Sequence, residues 1–261
     1  EIMPSLVGSE MCIRDSPYTD STIKIEESKA TQSNQPDIAF GAGDDLTING
    51  GAKKDQIEFK EIPLATVIGV DGKADEDILD FSDIDKNLTV KLKADATATA
   101  DKVEIKDGTT TTLINGIKNI ETIRGEQTNQ ITLDLTPSTA ADLTIEIADQ
   151  KAIVKKGTPP ATTLTLENVS DIKGSDKIYT FLLKNPLRGA IEIGSGTTTL
   201  DYSAYGNKVT VDLTKDVPGA ANFKQATLIT SGIKFAGIVN VTGGKKNDNL
   251  TGDNKDNTLT G

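Results

Sequence analysis

The last nineteen residues, GGKKNDNLTGDNKDNTLTG from Gly243 to Gly261, form two consecutive nine-residue units. Setting Gly243 over Gly252 puts Asn247 over Asp256, Asp248 over Asn257, Leu250 over Leu259 and Thr251 over Thr260. Carboxylate and amide oxygens at a fixed period beside glycine-rich turns are hard donors, the kind a divalent cation collects. Such an ion takes about six to eight oxygens and one turn offers only a few, so a site has to be assembled from adjacent turns. The candidate ligands here are Gly243, Asn247, Asp248, Asp253 and Asp256. Lys246, Asp253 and Lys255 stand where the pattern calls for glycine. A lysine there opposes left-handed backbone and repels a cation. The competing reading is a metal-free coil in which Asn and Asp make turns.

A second stretch of this kind, GAGDDLTINGGAKKDQIEF, runs from Gly41 to Phe59. Gly41, Gly43, Asp44 and Asp45 fall in one turn and Gly50, Gly51 and Asp55 in the next, with ten residues rather than nine between Asp45 and Asp55. Lys53 and Lys54 again replace glycines. A third place, DGKADEDILDFS, sets Asp75 and Asp77 just before a strand beginning at Leu79. A solvated, turn-forming acidic edge is the plainer reading of these residues.

The pattern resembles the GGxGxDxUx nonapeptide of secreted RTX (haemolysin-type) calcium-binding repeat proteins. That resemblance implies an all-β parallel β-solenoid (β-helix or β-roll) with Ca2+ shared between stacked turns. It further implies an extracellular or cell-surface location reached by type I secretion, with calcium, surface glycans and host or cell-surface proteins as partners.

Residues Ser5 to Ser16, SLVGSEMCIRDS, look like the in-frame translation of a transposon adapter used in sequencing libraries. Residues 1–16 are therefore expected to lie outside the fold, as an artefactual or disordered leader. The single cysteine, Cys12, falls inside this leader, so disulfide, Cys-zinc and thiol chemistry are not expected.

The chain carries 39 acidic and 28 basic residues; without Glu1, Glu10, Asp15 and Arg14 it keeps 36 and 27. An anionic surface with no His, no Trp and 4% aromatic residues argues against nucleic acid as a partner. No run of about 18 apolar residues is present, so no membrane span is expected. Thr, Ile, Val, Leu, Asp and Gly dominate and long amphipathic helical patterns are missing, which favours strands and turns.

Three segments share one outline: LDFSDIDKNLTVKL from Leu79, LDLTPSTAADLTIEI from Leu133 and LDYSAYGNKVTVDL from Leu200. Each starts Leu-Asp-apolar-Ser/Thr and later closes with a related element, NIETIRG at Asn119, ENVSDIKG at Glu167 or VNVTGG at Val239. The alternation of Leu88, Val90 and Leu92 recurs at Leu143, Ile145 and Ile147 and at Val209, Val211 and Leu213, with apolar residues on one face. Stacked solenoid coils bury such faces against neighbouring coils. The rival architecture is a string of small immunoglobulin-like sandwiches. The expected organisation is an irregular solenoid over 17–242, with units of about 72–131, 132–190 and 191–242 and the early stretch 41–59. A truncated nonapeptide array at 243–261 follows. The sequence around 97–112 suggests a hairpin excursion, and that around Pro159 a protruding turn.

Catalysis is not expected. No His is available as a base, no Gly-x-Ser-x-Gly elbow, P-loop or Rossmann fingerprint is present, and only Arg124 and Arg188 lie outside the leader. Tyr179, Tyr202 and Tyr205 are spaced as packing residues. The expected function is a calcium-binding structural or binding segment of a large secreted RTX-like protein, an adhesin. The alternative is the non-catalytic scaffold of a secreted polysaccharide-acting or hydrolytic enzyme.

Overall fold

The computed structural model describes residues 10–14, 20–33, 35–65, 67–92, 103–107, 111–114, 116–128, 130–136, 143–156, 162–185, 187–220, 222–228 and 232–261. The chain is all-β, a parallel β-solenoid, with no helix among the described residues. It divides into two compact units, one of residues 1–131 and 164–168, the other of 132–163 and 169–261.

In the first unit, successive coils add parallel strands in register. One sheet runs Ser21–Ile25, Asp55–Phe59, Ile78–Asp80, Thr122–Arg124 and Thr162–Glu167. Because side chains alternate along a strand, this register stacks Ile23, Ile57, Leu79, Ile123 and Leu166 into one aliphatic column, each 0% exposed. Burying one such side chain contributes about 1.5–3 kcal/mol, so the alternation in sequence translates directly into the stacking. Beside the column Phe59 and Phe81 stack with centroids 4.6 Å apart. The opposite sheet holds Asp45–Asn49, Val67–Asp71 and Gly116–Lys118, also parallel. Sandwiches of antiparallel strands do not build such ladders. The expected hairpin is present where the chain is described: Val103–Asp107 pairs antiparallel with both Leu88–Leu92 and Thr111–Ile114. The turn around Pro159 lies outside the described residues.

The leader departs from expectation. Glu10–Arg14 forms a strand parallel to Asp45–Asn49, from Glu10 opposite Asp45 to Arg14 opposite Asn49. Its Ile13 is 1% exposed. An edge strand exposes unpaired N–H and C=O groups and accepts whatever extended segment is tethered beside it.

In the second unit one sheet carries Leu143–Ala148, Tyr179–Leu183, Thr199–Asp201, Asn240–Thr242 and Leu259–Thr260, all parallel. The other contains Ile131–Asp134, Val169–Lys173, Ala190–Glu192, Gly232–Ala236, Lys224–Thr227, Thr210–Asp212 and Asn249–Thr251. The Leu133 and Leu200 segments are thus half a coil out of step. Leu133 starts in the second of these sheets and its following strand lies in the first, whereas Leu200 does the reverse. Tyr179 and Tyr202 are fully buried and Tyr205 nearly so, and the Tyr202 and Tyr205 rings meet edge-on at 6.4 Å, so all three pack.

Candidate functional site

Two local devices place the acidic residues. The first explains the Leu-Asp-x-Ser/Thr motif. Asp80 Oδ1 accepts the Ser82 N–H at 2.9 Å, Asp134 Oδ1 the Thr136 N–H at 2.9 Å, and Asp201 Oδ1 the Ser203 N–H at 2.8 Å. Asp212 repeats the bond with Thr214 at 2.9 Å. Each is an Asx turn, in which the aspartate ends its strand by accepting the amide two residues on.

The second device closes the coil corner, with a glycine followed five residues later by Asp or Asn. A Cβ added to Gly50, Gly72, Gly243 or Gly252 would lie 2.6, 2.3, 2.1 or 2.5 Å from a side-chain oxygen of Asp55, Asp77, Asp248 or Asn257 respectively. The glycine is required because the acid folds back over it. Of the candidate-site glycines, Gly43 alone has left-handed backbone, with φ 96°, while Gly219 and Gly237 elsewhere share it at 77° and 74°. Lys246 and Lys255 are not left-handed, which corrects the expectation that they strain these turns. The left-handed residues of one corner are instead Lys73 and Asp75, at 80° and 77°.

In the first unit the corner acids join a column. The Ser21 hydroxyl donates to Asp55 Oδ1 at 3.1 Å, and the Gly51 N–H donates to Asp55 Oδ2 at 2.6 Å. Asp55 N–H in turn donates to Asp77 Oδ1 at 2.8 Å, and Asp77 N–H to Glu121 Oε2 at 2.9 Å. Asp55 and Asp77 are 0% exposed. Asp77 Oδ2 is buried with no hydrogen-bond partner among the described residues. Burial pushes the Asp77 carboxyl up to about 7; the N–H of Asp55 opposes the shift, while the negative charges of Asp55, Glu121 and Asp75 add to it. Glu121 was not legible as a site residue, because its place depends on which coil stacks beside Asp77.

The other expected ligands are more scattered. Asp44 Oδ2 accepts the Gly41 N–H at 2.8 Å, and Asp45 begins the strand opposite Val67. Asp75 is exposed and its Oδ1 accepts the Glu76 N–H at 3.0 Å. Asp248 Oδ1 accepts the Val209 N–H at 2.8 Å, while its Oδ2 is buried without a partner among the described residues. Asp253 Oδ1 accepts the Lys255 N–H at 3.0 Å, and Asn247 and Asp256 are exposed. Among the described residues no group of three or more His, Cys, Asp or Glu is arranged to hold a metal ion. The structure brings together Asp55 and Asp77, and does not join Asp248, Asp253 and Asp256 into one cluster.

Outside the corners, charges pair along the sheet. Arg124 Nε donates to Glu167 at 2.6 Å and its Nη1 to Asp80 at 2.8 Å, across three adjacent strands. Burial alone would raise Asp80, but Ser82 and the Arg124 guanidinium hold it below the usual carboxylate range. In the second unit Glu146 is bonded by Lys155 and Lys184, which hold it low.

No protein-family model matches the chain, and no curated protein matches it significantly.

Proposed function

We propose that this chain is a structural and binding segment of a large secreted or cell-surface protein of the RTX-like kind, an adhesin, whose stacked coils hold a binding surface rigid. The reading is supported by the recurrent corner in which a glycine is covered by an acid five residues on. Such a corner lets identical coils be added without limit, as an extended extracellular stalk requires. Within this reading calcium adds to the corners that keep an unused oxygen. The observation favouring it is Asp248 Oδ2, buried beside Gly243 in the nonapeptide stretch with no donor among the described residues. An unpaired buried carboxylate oxygen is costly, and a cation would offset that cost.

A second reading, corners closed by hydrogen bonds alone, is favoured by the Gly51 and Asp55 amides, which already occupy Asp55 Oδ2 and Asp77 Oδ1. Calorimetric titration with calcium separates the two. Saturable heat that is lost in Asp248→Ala supports the calcium reading. Absence of heat, or equal heat in the wild type, Asp45→Ala and Asp248→Ala, leaves the corners metal-free.

A further inference from the structure

In the second unit the strand Thr210–Asp212 lies between Lys224–Thr227, antiparallel to it, and Asn249–Thr251, parallel to it. Val211 and Ala226 are buried, so their neighbours along each strand face outward. The register sets Thr227, Thr210 and Asn249 in one row across the three strands, and Gln225, Asp212 and Thr251 in the next. Together with the loop 215–218 these rows line a recess of about 340 Å³. The loop is held in place. Val217 N–H donates to the Phe223 carbonyl at 2.7 Å, and Lys224 Nζ donates to Asp216 Oδ1 at 2.5 Å. Five of the six row residues, all but Asp212, make no side-chain hydrogen bond among the described residues. Gln56, facing outward in the first unit, instead donates to Asp80 at 2.9 Å. Asp212 Oδ1 accepts the Thr214 N–H at 2.9 Å and its hydroxyl at 2.6 Å, while Oδ2 lies 3.7 Å from Lys215 Nζ. Each carboxylate of the recess is thus faced by a lysine, and the unspent capacity belongs to hydroxyls and carboxamides.

We propose that this recess binds a neutral oligosaccharide. The proposal rests on reading the coils as a rigid binding surface, and it names the ligand of that surface. Threonine hydroxyls and the carboxamides of Asn249 and Gln225 both donate and accept, as sugar hydroxyls do. Within a row they recur at the strand spacing of about 4.8 Å, close enough for neighbouring side chains to reach hydroxyls of one sugar ring. Val217 and Pro218 offer apolar surface to the C–H face of a ring, while the rows fix its orientation. A uronate or phosphate group meets no lysine here that lacks a carboxylate beside it. An extended peptide finds no free ladder on the floor, because both edges of Thr210–Asp212 are already paired.

The test titrates the full chain by calorimetry with maltohexaose, cellohexaose, mannohexaose and xylohexaose, and with hexagalacturonate as the charged control. At least one neutral sugar is expected to bind saturably at millimolar concentration or below, and hexagalacturonate several-fold more weakly. Thr210→Val combined with Thr227→Val removes two hydroxyls at nearly constant shape and strand propensity. Its affinity should fall about tenfold, the usual net worth of the hydrogen bonds lost, with the melting midpoint unchanged. Thr180→Val, on the outer face of the unit's other sheet, should bind as the wild type does. No saturable heat with any of the four neutral sugars overturns the proposal. So does an equal loss in Thr180→Val and the double variant, or hexagalacturonate binding as tightly as the neutral sugars. If no sugar binds while calcium heat is still lost in Asp248→Ala, the recess falls and the proposed function stands. If the bound sugar is shortened, seen by chromatography, the recess stands and the non-catalytic role falls.

Discussion

The amide of Asp55 donates to the carboxylate of Asp77 across 2.8 Å, so two acids from successive coils meet in a fully buried column. Each serves a backbone amide, yet two buried acids with the half-buried Glu121 beside them concentrate negative charge in a poorly hydrated corner. That opposition between a needed hydrogen bond and an unwanted charge sets the behaviour of this corner.

Asp77→Asn keeps an oxygen for the Asp55 N–H and removes the charge. It is expected to match or exceed the wild type in stability at pH 8. Asp77→Ala leaves the buried Asp55 amide without its acceptor and should cost about 1–3 kcal/mol. Urea denaturation of both variants at pH 8 gives the comparison.

The same group predicts a pH dependence. With its pKa raised from 3.8 to about 7, Asp77 binds a proton in the folded chain that the unfolded chain has already released. Its stabilising contribution is complete below pH 4 and declines as the pH rises through 7. Asp80 and Glu146, held low, act in the opposite sense and lose their contribution as the pH falls below the carboxylate range. Melting midpoints between pH 4 and 8 should therefore fall in the wild type relative to Asp77→Asn. Parallel curves would show that Asp77 is ionised throughout.

Arg124 bridges two carboxylates through separate nitrogens, a geometry lysine does not reproduce. Arg124→Lys is expected to lose about 1–3 kcal/mol, with most of the loss absent when Asp80→Ala is already in place. A double-mutant cycle by chemical denaturation reads the coupling.

Glycine substitutions separate close approach from chain entropy. A Cβ on Gly72 would sit 2.1 Å from the Asn119 carbonyl oxygen and 2.3 Å from Asp77 Oδ2, so Gly72→Ala should be strongly destabilising. At Gly69 the added Cβ meets nothing within 4 Å. Gly69→Ala should be neutral or stabilise by up to about 1 kcal/mol through the unfolded chain. Thermal melts of the two variants side by side provide the check.

Much of this architecture was legible because a period-two alternation and a parallel stack are two descriptions of one pattern. Leu88, Val90 and Leu92 point inward as their spacing implies. The Leu-Asp-x-Ser/Thr motif was visible as a repeat, although its cause, an Asx turn, was not. The half-coil offset of Leu133 was hidden because the variable stretches between segments, not the segments themselves, decide the sheet on which each one lands. Glu121 was missed for a related reason. A residue that caps its own chain a few positions away leaves a spacing, while one that caps a neighbouring coil 44 residues distant leaves none. The corner glycines were legible as turn formers, but left-handed backbone holds among those candidates at Gly43, and close approach of the following acid explains Gly50 and Gly243.

The column from Asp55 to Glu121 also has a direction. Each amide in it waits for an acid that is synthesised later: Asp55 for Asp77, and Asp77 for Glu121. A nascent coil in the first unit therefore emerges with its corner open and is latched only when the following coil arrives. Assembly of this unit should lag chain elongation by one coil, and a stalled chain should end in a frayed corner whose backbone amides exchange freely with solvent.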